Sequence, residues 1–210
     1  MSIIGWQSAV SKALEDGIFT LEQERALVAV KDQLALDEQL LDSNGSHSRL
    51  VKAGVIREVL EGKIPQRQRV EGNIPFNLQK NEQIVWIFKD AKYYEQRTST
   101  RYQGSYSGVS MRVMKGVYFR TGAFRGNPVQ TSSIVHADTG LLGLTNKHIY
   151  FAGPRKAFRI AYNKIVAFTP YNDGLGIQRD AQSAKPQIFV VDDGWFIHNL
   201  AVNLSELGKA

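Results

Sequence analysis

The hydrophobic period of this chain switches between residues 62 and 77, and that change limits the fold more than any other feature. Before it, apolar residues recur at helical spacing; after it they alternate, until helical spacing returns beyond Asp193. A first segment containing Ser8, Leu14 and Glu15 ends at Asp16-Gly17, where glycine can supply the positive φ of a helix terminus. Thr20 followed by Gln23 has the form of a capping box, and Glu22 and Glu24 suit the positive end of the helix dipole. Leu27, Val30 and Leu34 then predict a helix over about residues 21–34. Asp37 caps a short helix holding Leu40 and Leu41, Asn44-Gly45 interrupts it, and residues 48–61 carry Leu50, Val51, Val55, Val59 and Leu60 on one side. Amphipathic pieces this short need packing partners to be stable.

Pro65, Gly72 and Pro75, with the polar run Gln66-Arg67-Gln68-Arg69, mark a connector. Beyond it, Ile84 to Lys89 reads as a largely buried strand and Tyr93 to Tyr102 as a polar, aromatic one. Gly104-Ser105-Tyr106-Ser107-Gly108 reads as a turn or bulge. Residues 109–114, 117–119, 129–136, 157–160, 165–169, 174–178 and 187–191 supply further strands, with Asp138-Thr139-Gly140 as another break. Leu142 to Thr145 and His148 to Phe151 form a hairpin around Asn146-Lys147, where Asn146 would tolerate a left-handed turn. Asp193 can cap a final helix whose Phe196, Ile197, Leu200, Leu204 and Leu207 form one apolar face. The reading is α+β: a helical domain at 1–62, a connector at 63–77, and an antiparallel barrel or sandwich at 78–210 capped by the C-terminal helix.

Composition removes several classes. Cysteine is absent, so there is no disulfide framework and no thiolate chemistry. No apolar run approaches the roughly 18 residues of a membrane-spanning helix, and the N-terminus does not read as a secretory signal. The expectation is a soluble cytoplasmic protein. Charge is uneven. The first 75 residues carry 9 basic and 11 acidic side chains, whereas Lys89 to Arg159 holds 12 basic residues against Asp90, Glu95 and Asp138. Such a local excess concentrates anionic partners, although it also keeps a β-rich domain soluble.

The strand series closed by one helix resembles pleckstrin-homology-like domains. Residues 140–151, Gly-Leu-Leu-Gly-Leu-Thr-Asn-Lys-His-Ile-Tyr-Phe, are similar to the GRAM strand pair, and Lys164-Ile165-Val166-Ala167-Phe168 to its following strand. The likeness extends to uncharacterised bacterial proteins of this fold. It implies a binding module, and in members that bind phosphoinositides, basic residues of the first hairpin hold the phosphates. Carried onto this sequence, those positions are Lys89, Lys92, Arg97 and Arg101. The usual basic-x-basic ending is missing, since Thr98-Ser99-Thr100 separates the two arginines. Arg97, Ser99 and Arg101 would still share a strand face. The helical half resembles tellurite-resistance-type domains through Asp16-Gly17-Ile18-Phe19-Thr20 and Leu36-Asp37-Glu38, but the acidic metal positions of those domains map to no residue here.

Other chemistry finds no motif. His47, His136, His148 and His198 share no register suited to a metal, and no metal or cofactor is expected. Residues 104–108 place tyrosine where a nucleophile elbow needs serine. There is no Walker or Rossmann glycine pattern, Asp42-Ser43-Asn44-Gly45 fails the calcium-loop spacing, and Asp192-Asp193 suits a helix cap. Tyr93, Tyr94, Tyr102 and Tyr106 interleave with Arg97, Arg101 and Arg112, a mixture that can stack on single-stranded nucleic acid; the pattern alone favours ordinary cross-strand pairing. The expected function is therefore non-enzymatic: an adaptor recruiting a protein partner. The alternatives are peripheral attachment to anionic lipid at the inner membrane face through the basic hairpin, and a nucleic-acid-associated protein or enzyme with an interdomain site.

Overall fold

The computed structural model describes residues 2–15, 19–68, 72, 74–114, 117–181 and 184–208, and their side chains except at 100–114 and 117–130. Four helices come first: α1 (Ile3–Glu15), α2 (Leu21–Gln33), α3 (Glu38–Leu41) and α4 (Ser46–Leu60). Their starts are chemical. Thr20 Oγ1 accepts from Gln23 N while the Gln23 side chain accepts from Thr20 N, completing the capping box, and Asp37 Oδ1 accepts from Gln39 N and Leu40 N. Gly45, at φ 76°, takes the left-handed position from which α4 departs. Asp16-Gly17, expected to end α1, lies outside the described residues.

The sheet has seven antiparallel strands in the order β4-β3-β2-β1-β7-β6-β5. They are β1 (Ile84–Met114), β2 (Val117–Thr145), β3 (His148–Ala152), β4 (Ala157–Ala161), β5 (Ile165–Tyr171), β6 (Gly174–Arg179) and β7 (Gln187–Val190). A 3-10 turn at Tyr162–Lys164 carries the chain from the β4 edge to the β5 edge, so the sheet curls into a half-barrel. Helix α5 (Gly194–Leu207) fills its mouth. Asp193 Oδ1 accepts from Phe196 N at its start, and Phe196, Ile197, Leu200 and Leu204 are wholly buried.

Two apolar cores result. Trp6, Val10, Leu27, Leu41 and Leu50 join the four helices, and the Trp6 indole donates to Leu27 O at 2.8 Å. The second core lies under the sheet. Tyr93 stacks on Phe189 at 5.3 Å between centroids, and Phe196 meets Trp86 edge-on at 4.9 Å. Helix α4 belongs to both cores. Leu50 sits in the first, while Val55, Ile56 and Val59 sit in the second. The helical half is thereby docked on the sheet, with Lys52 Nζ 2.8 Å from Asp193 Oδ2 at the α4–α5 junction.

The structure corrects three strand-level expectations. Residues 104–108 are not a turn: β1 runs through them, with Gly104 opposite Gly126 and Gly108 opposite Gly122. A ladder tolerates glycine when the opposite residue is equally small and the backbone pairing is unbroken. Residues 138–140 are likewise inside β2, opposite Tyr93, Lys92 and Ala91. Asn146 does not adopt positive φ; among the described residues the non-glycine ones that do are Ala35, Asn81 and Asp90. Asn146 instead accepts from Gln83 N through Oδ1 at 2.8 Å, tying the hairpin to the start of β1.

Candidate binding surface

The expected site residues divide into two groups. Asp90 has φ 54°, and the β1–β2 register shifts between Phe88 and Ala91, so β1 bends there. The bend brings Lys89 and Lys92 to a cleft of about 380 Å³ beside Lys52, Asp90, Asp192 and Asp193. Three cations face three carboxylates in that cleft, and Lys52 is already paired with Asp193. The balance gives the cleft little pull on an anion. Arg97 lies five residues further along β1, about 16 Å by strand rise. It is largely exposed, with Nε 3.3 Å from Glu95 Oε1, while Lys156 Nζ approaches the other Glu95 oxygen at 2.9 Å. These hydrogen bonds, the Lys156 one strongest, hold the Glu95 carboxyl below its ordinary pKa against its partial burial. The Arg101 side chain lies outside the described residues; its backbone pairs with Val129. Lys89 and Lys92 share the cleft, and Arg97 is not among its lining residues.

What the structure adds is a ribbon. Strand β7 pairs with β1 only from Lys92 to Glu95, and β3 pairs with β2 only from Leu141 to Leu144. Among the described residues, beyond Glu95 β1 and β2 pair with each other alone, from Gln96 opposite Ile134 out to Met114 opposite Val117. Nineteen residues of β1 at roughly 3.3 Å each give an arm about 60 Å long. At its base Thr98 Oγ1 and Ser132 Oγ lie 3.3 Å apart, Thr131 to Ser133 are exposed, and Ile134 is half exposed. Between Gln96 and Ala137 the sequence holds six basic residues (Arg97, Arg101, Arg112, Lys115, Arg120 and Arg125) and no carboxylate.

Three buried polar clusters hold further titratable groups, and each closes on itself. The Glu82 carboxylate accepts from Thr145 Oγ1 (2.6 Å), Tyr150 OH (2.8 Å) and Gln79 N (2.7 Å), and His148 Nδ1 lies 2.8 Å from it. Burial alone would raise its pKa, yet these hydrogen bonds together hold it below the ordinary value. Asp138, a strand residue of β2, accepts from the backbone N–H groups of Arg155, Lys156 and Thr139 and so clamps the β3–β4 turn. Glu24 is gripped by Arg57 and Arg67, and Arg67 also bonds Glu58, fixing the connector to α2 and α4. Gly54 makes this possible, since a Cβ there would fall 2.6 Å from Arg67 Nη1. All three clusters join segments distant in sequence, so no spacing rule reveals them.

An open groove of about 800 Å³ runs between α4 and α5, past Leu60 and the exposed Trp195. Of its cations, Lys52 and Arg57 are committed to Asp193, Glu24 and Glu61. Among the described residues no three His, Asp or Glu side chains cluster as metal ligands, and no helix is long and apolar enough to cross a membrane. No protein-family model, curated protein or solved structure matches this chain.

Proposed function

We propose that the protein is a non-enzymatic binding module whose helical base and half-barrel, pleckstrin-homology/GRAM-like in the order of elements, form a platform for the β1–β2 ribbon. The ribbon is the part that meets a partner, and the partner is polyanionic. One observation carries this reading: a two-stranded arm about 60 Å long, with six cations and no carboxylate in the sequence from Gln96 to Ala137, has among the described residues no neighbouring strand beyond Glu95. A hairpin lacking a third strand or a covering helix is at best marginally stable in water, so a surface that neutralises its charge also orders it. Basic residues on free strand edges also discourage edge-to-edge pairing, and both roles favour the same composition.

Retention on phosphocellulose across a salt series tests the reading. The full chain is expected to bind at low salt and elute as sodium chloride rises, because screening shortens the reach of each charge to about 8 Å at physiological ionic strength. Changing Arg101, Arg120 and Arg125 together to Glu is expected to abolish retention with no change in the thermal midpoint. Changing Lys89 and Lys92 to Glu, in the charge-balanced cleft, is expected to weaken it far less. Equal losses from the two variants, or full retention by the ribbon variant, would remove the ribbon from the account.

A further inference from the structure

Resting on that polyanion reading, we infer that the ribbon binds nucleic acid laid along its length. The ladder register fixes where the cations fall. Arg125 stands opposite Ser105 and Arg120 opposite Ser110, so Arg97, Arg101, Arg125, Arg120 and Arg112 succeed one another along the arm. The steps are four, four, five and two residues, or about 13, 13, 17 and 7 Å. A compact phosphate ligand requires cations converging on one point, which this series does not offer. A bilayer meeting the end of the arm would engage the cations near Met114 and leave Arg97 and Arg101 tens of ångströms away, several screening lengths off. Residues paired across the ladder share a face and successive ones alternate, so Arg97, Arg101 and Arg125 fall on one face and Arg120 and Arg112 on the other. A linear polymer of phosphates laid along the first face meets three cations in turn, about 13 Å apart.

Residue type points the same way. Five of the six cations are arginine, whose planar fork pairs with phosphate oxygens and stacks on bases. Aromatic residues stand on the second face, with Arg120 and Arg112: Tyr102, Tyr106 opposite Phe124, and Tyr118 opposite Arg112. Bases stack on such residues whatever their identity. The ribbon's cross-section also suits a duplex, because the major groove, about 12 Å wide, admits a two-stranded β-ribbon.

The test is fluorescence anisotropy with a labelled 20-nucleotide single strand and a 20-base-pair duplex, beside flotation with phosphatidylglycerol vesicles, using the full chain. Binding to either oligonucleotide is expected, with log K falling linearly in log salt. The three cations of one face bound the slope at about −3 for a duplex, and the two that share a face with the aromatic residues bound it at about −1.4 for a single strand. Changing Arg101 and Arg125 to Gln should each reduce the duplex slope by about one unit, which loss of folding would not do. If the single strand is preferred, changing Tyr106 and Phe124 to Ala should lower its affinity by about tenfold each, and Arg112 and Arg120, not Arg101 and Arg125, should set its slope. Vesicle binding without oligonucleotide binding, with phosphocellulose retention intact, overturns the inference and leaves the polyanion reading standing. Failure to bind phosphocellulose as well removes both.

Discussion

Changing Glu82 to Ala is expected to lower the unfolding free energy by about 3–5 kcal/mol, measured by urea denaturation at pH 7. The carboxylate side chain is wholly inaccessible, and three segments converge on it: Gln79 before β1, Thr145 at the end of β2, and His148 and Tyr150 of β3. Removing it leaves the Tyr150 hydroxyl and the Thr145 hydroxyl with fewer acceptors in a site that Tyr162, itself buried, closes from the other side through its bond to Thr145 O. A loss below 1 kcal/mol would show that water replaces the carboxylate and that the cluster is not the latch described.

The same residue gives a pH dependence with a definite sign. Its folded pKa lies below the ordinary 4.5 of the unfolded group. Its contribution is therefore complete above about pH 4.5 and is lost as pH falls through the folded value. Glu24 and Glu95 are depressed too and act in the same window. Glu82→Gln should thus flatten part of the acid loss of stability below pH 4.5 while lowering stability at pH 7.

Changing Phe196 to Ala should cost about 3–5 kcal/mol, whereas changing its neighbour Trp195 to Ala should stay within about 0.5 kcal/mol. The two aromatic residues are adjacent in sequence and opposite in environment. Phe196 is fully buried against Trp86 and Phe88, with Lys52 Nζ 5.4 Å from its ring centre, while Trp195 is mostly exposed on the α4–α5 groove. The contrast checks that α5 plugs the half-barrel by its buried face. Equal effects would mean that the helix sits in another rotation.

Much of this architecture is written in local chemistry. The Thr20–Gln23 box, the Asp37 and Asp193 caps and the α5 stripe all act within one helical turn, so sequence reveals them directly. The β2–β3 hairpin is legible because Thr145 and His148 frame the two-residue turn Asn146-Lys147. The continuity of the ribbon is not. Strands are legible at 93–102, 109–114, 117–119 and 129–136, but the glycines at 104, 108, 122 and 126 read as breaks between them. The grouping of Lys89, Lys92, Arg97 and Arg101 into one anion site comes from the resemblance to phosphoinositide-binding hairpins. Their local setting is set by the fold: strand rise carries Arg97 about 16 Å beyond Lys92, and the Asp90 bend turns Lys89 and Lys92 into a cleft with three carboxylates. Glu82 and His148 meet across 66 residues, a pairing that only the fold creates.

Excising the ribbon tests the account most directly. Gln96 and Ile134 face each other in the ladder, so residues 97–133 can be replaced by Asn-Gly, whose turn suits a two-residue hairpin. Among the described residues neither core draws a side chain from 97–133. The shortened protein is expected to unfold cooperatively within a few degrees of the full chain and to pass through phosphocellulose unretained at low salt. A shortened protein that does not fold, or one that binds as tightly as the full chain, would contradict the division into a self-sufficient platform and a binding arm.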